Sequence, residues 1–478
     1  MLSASVLLLA GLGLLPQSVI AAVPSVRPAL NNRTYSSSTI NKLIAELSPL
    51  FSDPDMGTLF GNCLPNTLDT TVLYATDGSD GTTLDSFVIT GDISAMWLRD
   101  SANQLMPYVP YVSEDPALAT LVEGLIARQA SSVLLDPFAN AFNYNASGEG
   151  HQYDQRKPPM TPSVFEGKYE IDSLSAFLKI SYWYWKYSKS TAFITSDWLE
   201  AVDLARSTIE TMQSDTGYLV DPPYTFLRET TAALDTLELY GRGPPVRLTG
   251  LSRSLFRPSD DAVTMGYNIP GNAMACTELT HITELLKEVR SGQLTVEKVL
   301  AGTSSVGQKL CGALDEIISQ ASEKTDSALP YELDGYGSSY GMDDANIPSL
   351  LSLPFLGYMS NQHPVYVDTR DYVLSSRNPF YFSGLAGEGV GGPHVGYNYA
   401  WPMAIVMRAM TSESDEEISS CLQLLLSSAL KTGLMHESFN VNDVNDYTRS
   451  WFAWANGLFG ELMLQLIHTK PHLLLVND

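Results

Sequence analysis

The sequence predicts an all-α fold built as one large domain. Helical spacing of apolar residues recurs along the whole chain, whereas strand-like alternation is confined to two short segments. No low-complexity linker interrupts the 478 residues, and 44% of them are hydrophobic, enough for a large core. A toroid of six helical hairpins, the (α/α)6 barrel, needs about this many helices. Periodicity predicts the helices but not the closure of the ring.

The individual elements follow from apolar periodicity and from residues that start or stop helices. The first predicted helix, 38–50, carries Ile40, Ile44 and Leu47 on one face and has Ser and Thr caps before it. Further helices are predicted over 117–134, 170–187, 197–213, 229–240, 271–290, 295–323, 348–359, 365–375, 401–410, 414–430 and 447–468. The two short strands are predicted over 70–74 and 86–90.

The charge balance is strongly acidic. There are 28 Lys and Arg residues against 53 Asp and Glu residues, a formal net charge of −25. Such a field repels a phosphate backbone, so binding to nucleic acid is not expected. The 24 tyrosines outnumber the 16 phenylalanines, and amphipathic rings suit a wet, polar ligand such as a sugar.

The N-terminal residues resemble a targeting segment. Residues 2–22 are apolar, contain no charged side chain and end in small residues, which predicts a cleaved signal peptide over 1–22. A retained membrane anchor is the alternative, since a span needs about 20 apolar residues. A short tail over 23–35 and one domain over 36–478 are expected to follow. No later segment is expected to cross a bilayer, and no stable membrane association is expected after cleavage.

Two sequons and the cysteine count bear on the compartment. The sequons begin at Asn32 and Asn145 and fit a secretory route, most simply secretion, with a vacuole or Golgi lumen as alternatives. The four cysteines are far apart and have no zinc-binding spacing. Two disulfides in any of three pairings, or buried free thiols, are equally compatible with this spacing. The four are Cys63, Cys276, Cys311 and Cys421.

The first polar segment that can carry chemistry spans residues 91–101. Arg99 beside Asp100 offers a donor fork and an acceptor for vicinal hydroxyls, and Trp97 offers a ring face. A structural salt bridge at a helix start is the alternative.

A pair of adjacent acids, Asp260 and Asp261, lies in the segment 256–262. Neighbouring carboxylates repel, so one of them can retain its proton to higher pH, as a general acid requires. Pro258 and Ser259 equally suggest a helix N-terminus, where Asp is a capping residue.

Two more segments are rich in polar side chains. Residues 331–348 include Asp343, Asp344 and Asn346, which suit a hydroxyl-binding loop better than a calcium site, because the EF-hand spacing is absent. His394 follows two glycines and a proline, and Glu437 follows a histidine, so it is a candidate base. No GxSxG elbow, Walker loop, dinucleotide fingerprint or HExxH helix is present, which leaves carboxylates as the expected catalytic groups.

Taken together, these segments resemble glycoside hydrolase family 125, the exo-acting α-1,6-mannosidases of bacteria and fungi. The matching stretches are GDISAMWLRDS (91–101), KYEIDSL (168–174), FRPSDDA (256–262), YELDGYG (331–337), MDDANIPSLLSLPFLGY (342–358), GGPH (391–394) and MHESF (435–439). They occur in the same order and span nearly all of the chain after the predicted leader.

The resemblance implies an (α/α)6 barrel that removes terminal, non-reducing α-1,6-linked mannose with inversion, without a metal or other cofactor. It assigns the general acid to Asp260 or Asp261, leaving open which, and the general base to Glu437. The substrate-binding candidates that follow from motif membership are Trp97, Arg99, Asp100, Glu170, Asp172, Asp343, Asp344, Asn346 and His394.

Two other functions remain to be weighed against hydrolysis. A glycan-binding homologue of the same fold would have no need of both the Asp pair and Glu437. A metal-dependent α-mannosidase would need calcium or zinc, and the spacing of His and Cys disfavours zinc. The expected partner is a mannose-containing glycan.

Overall fold

A computed structural model describes residues 22–76, 78, 83–289, 294–324 and 327–476. The predicted signal peptide lies outside these residues apart from Ala22. The α-helices are α1 Ser38–Leu47, α2 Pro54–Cys63, α3 Asn66–Thr70, α4 Leu98–Leu105, α5 Pro116–Leu135, α6 Ile171–Ser188, α7 Ser196–Thr211, α8 Glu238–Gly241, α9 Ile269–Glu288, α10 Leu294–Ser322, α11 Pro364–Val373, α12 Pro402–Met410, α13 Asp415–Ala429 and α14 Ala453–Thr469.

Short strands pair in the loops between the helices, in sheets of two or three strands. They are β1 Val72–Thr76, β2 Asp85–Val88, β3 Met96–Trp97, β4 Ala141–Phe142, β5 Gln155–Lys157, β6 Val164–Glu166, β7 Thr225–Leu227, β8 Tyr267–Asn268, β9 Glu332–Leu333, β10 Ser339–Tyr340, β11 Tyr381–Ser383, β12 Glu388–Val390, β13 Tyr399–Ala400, β14 Phe439–Asn440 and β15 Asp443–Tyr447. The pairing of β1 with β2 confirms the two predicted strands.

The helices form two concentric layers. In the inner layer α4 packs on α6, α6 on α9, α12 on α14, and α14 returns to α4. The turns over residues 349–358 contribute to this layer, since Phe355 contacts Lys179 of α6, and a Cβ at Gly357 would lie 3.9 Å from Thr277 of α9. In the outer layer α5 packs on α7, α7 on α10, α10 on α11, and α13 on α2. The chain alternates between the layers, which produces successive helical hairpins around a ring.

The N-terminal ends of the inner helices gather polar side chains at one end of this ring. Arg99 and Asp100 lie in the first turn of α4, and Asp172 lies in the first turn of α6. The residues that cap α12 and α14, Trp401 and Phe452, line the same cavity as Arg99. The partial positive charge of these helix ends favours acidic residues there.

Most of the predicted helices are confirmed, and three are wrong in part or entirely. No continuous helix spans residues 229–240: only the short α8 begins there, at Glu238, and Leu239 and Tyr240 within it adopt left-handed backbone angles that a regular helix excludes. Residues 348–359 form turns around Pro354, which lacks a backbone donor. The helix predicted from 447 begins only at Ala453, after β15. Three helices near the start of the ring, α2, α3 and α4, were not predicted.

One of the cysteine pairings is present. Cys276 of α9 and Cys311 of α10 form a disulfide that joins an inner helix to its outer neighbour. Cys63 and Cys421 are buried free thiols, and burial raises the pKa of Cys421 to about 11. The structure therefore combines the two sequence alternatives, one disulfide and two buried thiols.

The N-terminal segment and α5 differ from expectation. The predicted tail packs on the domain, because Val23 is buried and donates to Asp55, and Arg27 binds Asp69. Among the described residues, α5 is long and apolar enough to span a membrane by composition, which corrects the expectation that no later segment would be. Within the fold 56% of that apolar window is buried, so α5 packs as a core helix.

Candidate active site

A small cavity opens at the N-terminal ends of α4, α12 and α14. The enclosed space is about 60 Å³, smaller than the roughly 300–1,000 Å³ typical of small-ligand sites. The lining residues are Thr90, Ile93, Trp97, Arg99, Asp100, Pro258, Ser259, Asp260, Asn346, His394, Trp401, Glu437, Arg449, Phe452 and Trp454.

Arg99 organises the acidic side of the cavity. Its Nη1 donates to Glu170 Oε2 at 2.6 Å and to Asp172 Oδ2 at 3.1 Å, and its Nη2 donates to Asp260 Oδ1 at 3.1 Å. Asp100 Oδ2 lies 3.5 Å from the same Nη2. Burial raises the pKa of Asp100 to about 6, against the opposing effect of Arg99. Arg99 therefore holds several carboxyl groups in place. It forms the structural salt bridges that one sequence alternative predicts, and it lies in the cavity as the other alternative predicts.

Asp260 occupies a strained turn that presents its carboxyl to the cavity. A bridge between Phe256 and Ala262 closes the loop, and Asp260 has a φ of 66°, in the left-handed region. No helix begins here, so the capping alternative is wrong. Lys168 Nζ donates to the Asp260 carbonyl oxygen at 2.8 Å. Burial would raise the pKa of Asp260, but Arg99, the hydrogen bond from Glu170 and the charge of Lys168 outweigh it and lower that pKa.

The two adjacent acids have different surroundings. The Asp260 side chain is 25% exposed, toward the cavity, whereas the Asp261 side chain is 7% exposed and is not part of the lining. Asp261 Oδ1 lies 2.9 Å from His394 Nδ1. Burial lowers the pKa of His394, but the hydrogen bond and charge of Asp261, with more distant acids, raise it to about 9. Asp261 therefore holds a charged His394 against the cavity at neutral pH.

Glu437 lines the same cavity but lies far along the chain from Arg99 and Asp260, in the loop between α13 and α14. Its Oε2 accepts from Thr448 Oγ1 at 2.8 Å, and its Oε1 lies 3.4 Å from Arg449 Nε. Both neighbours are donors that orient the carboxylate. The preceding His436 turns away, stacks on Tyr447 and bonds the Arg449 carbonyl oxygen, so it is a structural residue.

Aromatic and polar groups share the remaining wall. Trp97, Trp401, Phe452 and Trp454 supply apolar ring surface. Five buried polar atoms of the lining have no hydrogen-bond partner among the described residues. These atoms are Trp97 Nε1, Trp401 Nε1, Arg99 Nε, Asp100 Oδ2 and Ser259 Oγ. A ligand with apolar faces and several hydroxyls suits this wall, because its faces would pack on the rings and its hydroxyls would pair with these donors and acceptors. Each buried group left unpaired costs roughly 1–3 kcal/mol.

Most of the predicted site residues come together, and five lie behind the cavity wall. Seven line the cavity, namely Trp97, Arg99, Asp100, Asn346, His394, Asp260 and Glu437, whereas Asp261, Glu170, Asp172, Asp343 and Asp344 do not. Asp343 accepts from the backbone amides of Leu350 and Leu351, and burial raises its pKa to about 8. Its place in the pocket wall is therefore wrong, and its role is to order the turns that follow.

The calcium alternative for residues 331–348 finds no support in the contacts of its acids. Glu332 binds Arg257, Asp334 accepts from the backbone of its own turn, and Asp344 accepts from Asn346. Each acid is paired separately, and they do not converge. Among the described residues no cluster of three or more His, Cys, Asp or Glu side chains is arranged around a metal site.

Several lining residues were missed by sequence reasoning. Arg449, Phe452 and Trp454 fall in a segment that was predicted as continuous helix. The run of aromatic residues just before α14 was the available signal. Asn140, whose Nδ2 contacts Glu166, Glu170 and Asp260, carries no local signal because its partners are distant in sequence.

Comparisons with known proteins show the family to which the chain belongs. Residues 53–464 match the family of metal-independent α-mannosidases, glycoside hydrolase family 125. The chain is 44% identical over 472 residues to the meiotically up-regulated gene 157 protein of Schizosaccharomyces pombe, which covers 95% of this chain and 91% of that protein.

Solved structures of similar proteins show the same fold. A metal-independent α-mannosidase of Streptococcus pneumoniae, in a non-productive substrate complex with α-1,6-mannobiose, superposes with a TM-score of 0.84 and 34% identity. The match covers 91% of this chain and all of that one. A bacterial glucoamylase complexed with acarbose shares the fold at a TM-score of 0.52 and 12% identity, over 89% of this chain and 58% of its own. The predicted (α/α)6 barrel is confirmed, and the chain belongs to glycoside hydrolase family 125, the metal-independent α-mannosidases.

Proposed function

We propose that this α-mannosidase is an exo-acting enzyme that removes terminal α-1,6-linked mannose with inversion, using Asp260 as general acid and Glu437 as general base. The observation that carries the proposal is that these two carboxyl groups, from different parts of the chain, line one cavity. Inverting glycosidases need two such groups around the scissile bond, with space for a water molecule between them.

The choice of Asp260 over Asp261 rests on exposure and on partners. Asp260 faces the cavity, whereas Asp261 is buried against His394. Asp100 is the other lining carboxyl of this wall, and its Oδ2, which forms an ion pair with Arg99 but has no hydrogen-bond partner among the described residues, suits a sugar hydroxyl. In the proposed reaction Asp260 protonates the glycosidic oxygen as its bond to the anomeric carbon breaks. Glu437 accepts a proton from the water that attacks the opposite face.

The linkage and the exo action are supported by the neighbour and by the dimensions of the site. The Streptococcus pneumoniae protein, 34% identical, binds α-1,6-mannobiose. The cavity is small and walled by aromatic rings, which favours one terminal sugar over the middle of a chain. Trp97 and Trp401 would pack against the apolar faces of that sugar, and Arg449 would hold Glu437 beside the attacking water.

Proton NMR of the first product tests the proposed reaction. With α-1,6-mannobiose as substrate, we expect β-mannose to appear first and to mutarotate slowly to the α-anomer. The α-1,2- and α-1,3-linked isomers serve as controls and should be hydrolysed far more slowly. An initial α-anomer would contradict inversion, and an intact disaccharide would favour a glycan-binding homologue.

We further propose that the chain acts in an oxidising lumen of the secretory pathway or outside the cell. The Cys276–Cys311 disulfide supports this, because such bonds persist in oxidising compartments. Asn32 and Asn145 are both exposed, as glycosylation requires. Treatment of the protein from its own cells with an endoglycosidase should increase its gel mobility. Replacing both residues with Gln should abolish that change, and an unaltered mobility of the unsubstituted chain would contradict N-glycosylation.

A further inference from the structure

The backbone of Asp260 has a partner that the proposed reaction does not use. Asp260 has a φ of 66°, a left-handed conformation that residues with a side chain rarely adopt. Its amide donates to the Arg257 carbonyl oxygen at 2.9 Å, and the Arg257 amide donates to the Asp261 carbonyl oxygen at 2.8 Å. The Asp260 carbonyl oxygen accepts from Lys168 Nζ at 2.8 Å. Lys168 therefore fixes the peptide group that follows the left-handed residue.

The contacts of the Asp260 carboxyl group hold one of its two oxygens. Arg99 Nη2 donates to Oδ1 at 3.1 Å, and Asn140 Nδ2 lies 3.2 Å from the same atom. Oδ2 is the oxygen that remains to meet the glycosidic oxygen of the substrate. A carboxyl group held at one oxygen can still rotate about that oxygen, so the direction of Oδ2 depends on the backbone that carries it.

Lys168 is itself held in place by several contacts. Its side chain is 4% exposed, and its Nζ donates to Asp235 Oδ1 at 2.8 Å and lies 3.5 Å from Glu166 Oε1. Its backbone amide donates to Asn140 Oδ1 at 3.2 Å. Burial opposes the charge of Lys168, but the charges of Glu166, Asp260 and Asp235 raise its pKa. The ammonium group therefore keeps all three of its donors.

A second buried cation binds the same acids but not Asp260. Arg228 Nη2 lies 2.9 Å from Glu166 Oε1, its Nη1 lies 3.2 Å from Asp235 Oδ1, and its side chain is 9% exposed. In the described part of the chain the hydrogen bonds of the Arg228 side chain go to these two acids and to Asp154. Both cations balance the charge of the acids, whereas the contact with the Asp260 backbone is made by Lys168.

We propose that Lys168 is a positioning residue that holds the left-handed backbone of Asp260 and thereby aims its carboxyl group at the glycosidic oxygen. The inference rests on the proposed function, in which Asp260 is the general acid. Lys168 is not part of the cavity lining, so it acts through Asp260 and not on the sugar. Without Lys168 the peptide group after Asp260 can rotate, and Oδ2 turns with it. Proton transfer needs an acid within about 2.6–3.2 Å of its target, so a small rotation slows the reaction.

The ratio of two activities in Lys168→Met tests this proposal. Methionine has a similar length but no donor, so the Asp260 carbonyl oxygen loses its partner. We expect kcat for α-1,6-mannobiose to fall about tenfold to a hundredfold, since a misplacement of about 1 Å can cost on the order of a hundredfold. KM should change little, because the groups that bind the sugar are intact. Hydrolysis of α-mannosyl fluoride, whose leaving group needs no proton, should stay close to that of the unsubstituted enzyme.

The matched control is Arg228→Met, which removes a buried cation from the same acids and leaves the Asp260 carbonyl contact in place. It should leave the ratio of the two activities unchanged. The second control combines Lys168→Met with Asp260→Asn. The double variant should lose little more activity on the disaccharide than Asp260→Asn alone, because no acid remains to be aimed. An equal change of the ratio in Arg228→Met, or losses that multiply in the double variant, would overturn the proposal.

Asp235→Ala guards against a fold defect in Lys168→Met, and thermal unfolding shows which variants are folded. The Asp235 side chain is 39% exposed, and its removal takes one partner from Lys168 Nζ. This variant should shift the ratio of the two activities in the same direction by a smaller factor. An unsubstituted enzyme that leaves the disaccharide intact contradicts the proposed function. If that enzyme is active and folded Lys168 or Asp235 variants keep its ratio, only the positioning role is contradicted.

Discussion

Glu437→Gln is expected to lower kcat for α-1,6-mannobiose by roughly a hundredfold to ten-thousandfold, the usual contribution of a general base. Glutamine keeps the shape of the side chain and still faces Thr448 and Arg449, so KM should change little. The loss arises because an amide does not accept the proton of the attacking water. Steady-state kinetics and calorimetric binding of mannose or the disaccharide separate the two effects.

Azide provides the chemical control for this variant. Glu437→Ala opens space beside Arg449, and azide attacks without needing a base, so added sodium azide should restore turnover and produce β-mannosyl azide. Glu416→Gln makes the same change at an exposed position in the first turn of α13, and it should keep the unsubstituted activity. Near-normal turnover of Glu437→Gln would remove Glu437 from the mechanism.

Asp260→Asn should reduce kcat/KM for the disaccharide by a comparable factor, roughly a hundredfold to ten-thousandfold. The cause of this loss differs from that in Glu437→Gln, because here the glycosidic oxygen has to leave without receiving a proton. α-Mannosyl fluoride does not need that proton, so its hydrolysis should persist. The ratio of the two activities is therefore the measurement that identifies the acid.

The neighbouring carboxyls provide the comparison. Asp261→Asn weakens the hold on His394, so it should lower the two activities to a similar extent. Asp100→Asn removes a hydroxyl-binding group and should raise KM for both substrates. If either variant shows the selective loss on the disaccharide and Asp260→Asn does not, the acid has been assigned to the wrong residue.

Helix positions were predictable wherever the apolar periodicity was uninterrupted. The predicted segments 117–134 and 271–290 agree with α5 and α9 to within two residues at each end, because a helix face is set by neighbours three or four residues away. The segment 229–240 shows the same periodicity, yet Leu239 and Tyr240 turn left-handed. In this segment the tertiary contacts of the loop, and not the local helix propensity, determine the backbone conformation.

The sequence predicted which residue types form the candidate site, but it did not predict how they are arranged around the cavity. Motif membership named Glu170 and Asp343 equally as wall residues. The structure places Glu170 behind the cavity wall, where it accepts hydrogen bonds from Arg99 and Asn140, whereas Asp343 caps a turn away from the cavity. Arg449 was not named at all, although it lies beside Glu437. These differences depend on contacts between residues far apart in the chain, which a local pattern does not contain.

By itself, the sequence determined that the chain is helical, that its surface is acidic and that its chemistry depends on carboxyl groups. These properties follow from composition and from spacing along a few turns. Only the tertiary structure decided that Cys276 pairs with Cys311, that Asp260 faces the cavity instead of Asp261, and that Glu437 shares that cavity. The reason is that each of these facts depends on closure of the ring, when α14 packs against α4 and brings the two ends of the chain to one site.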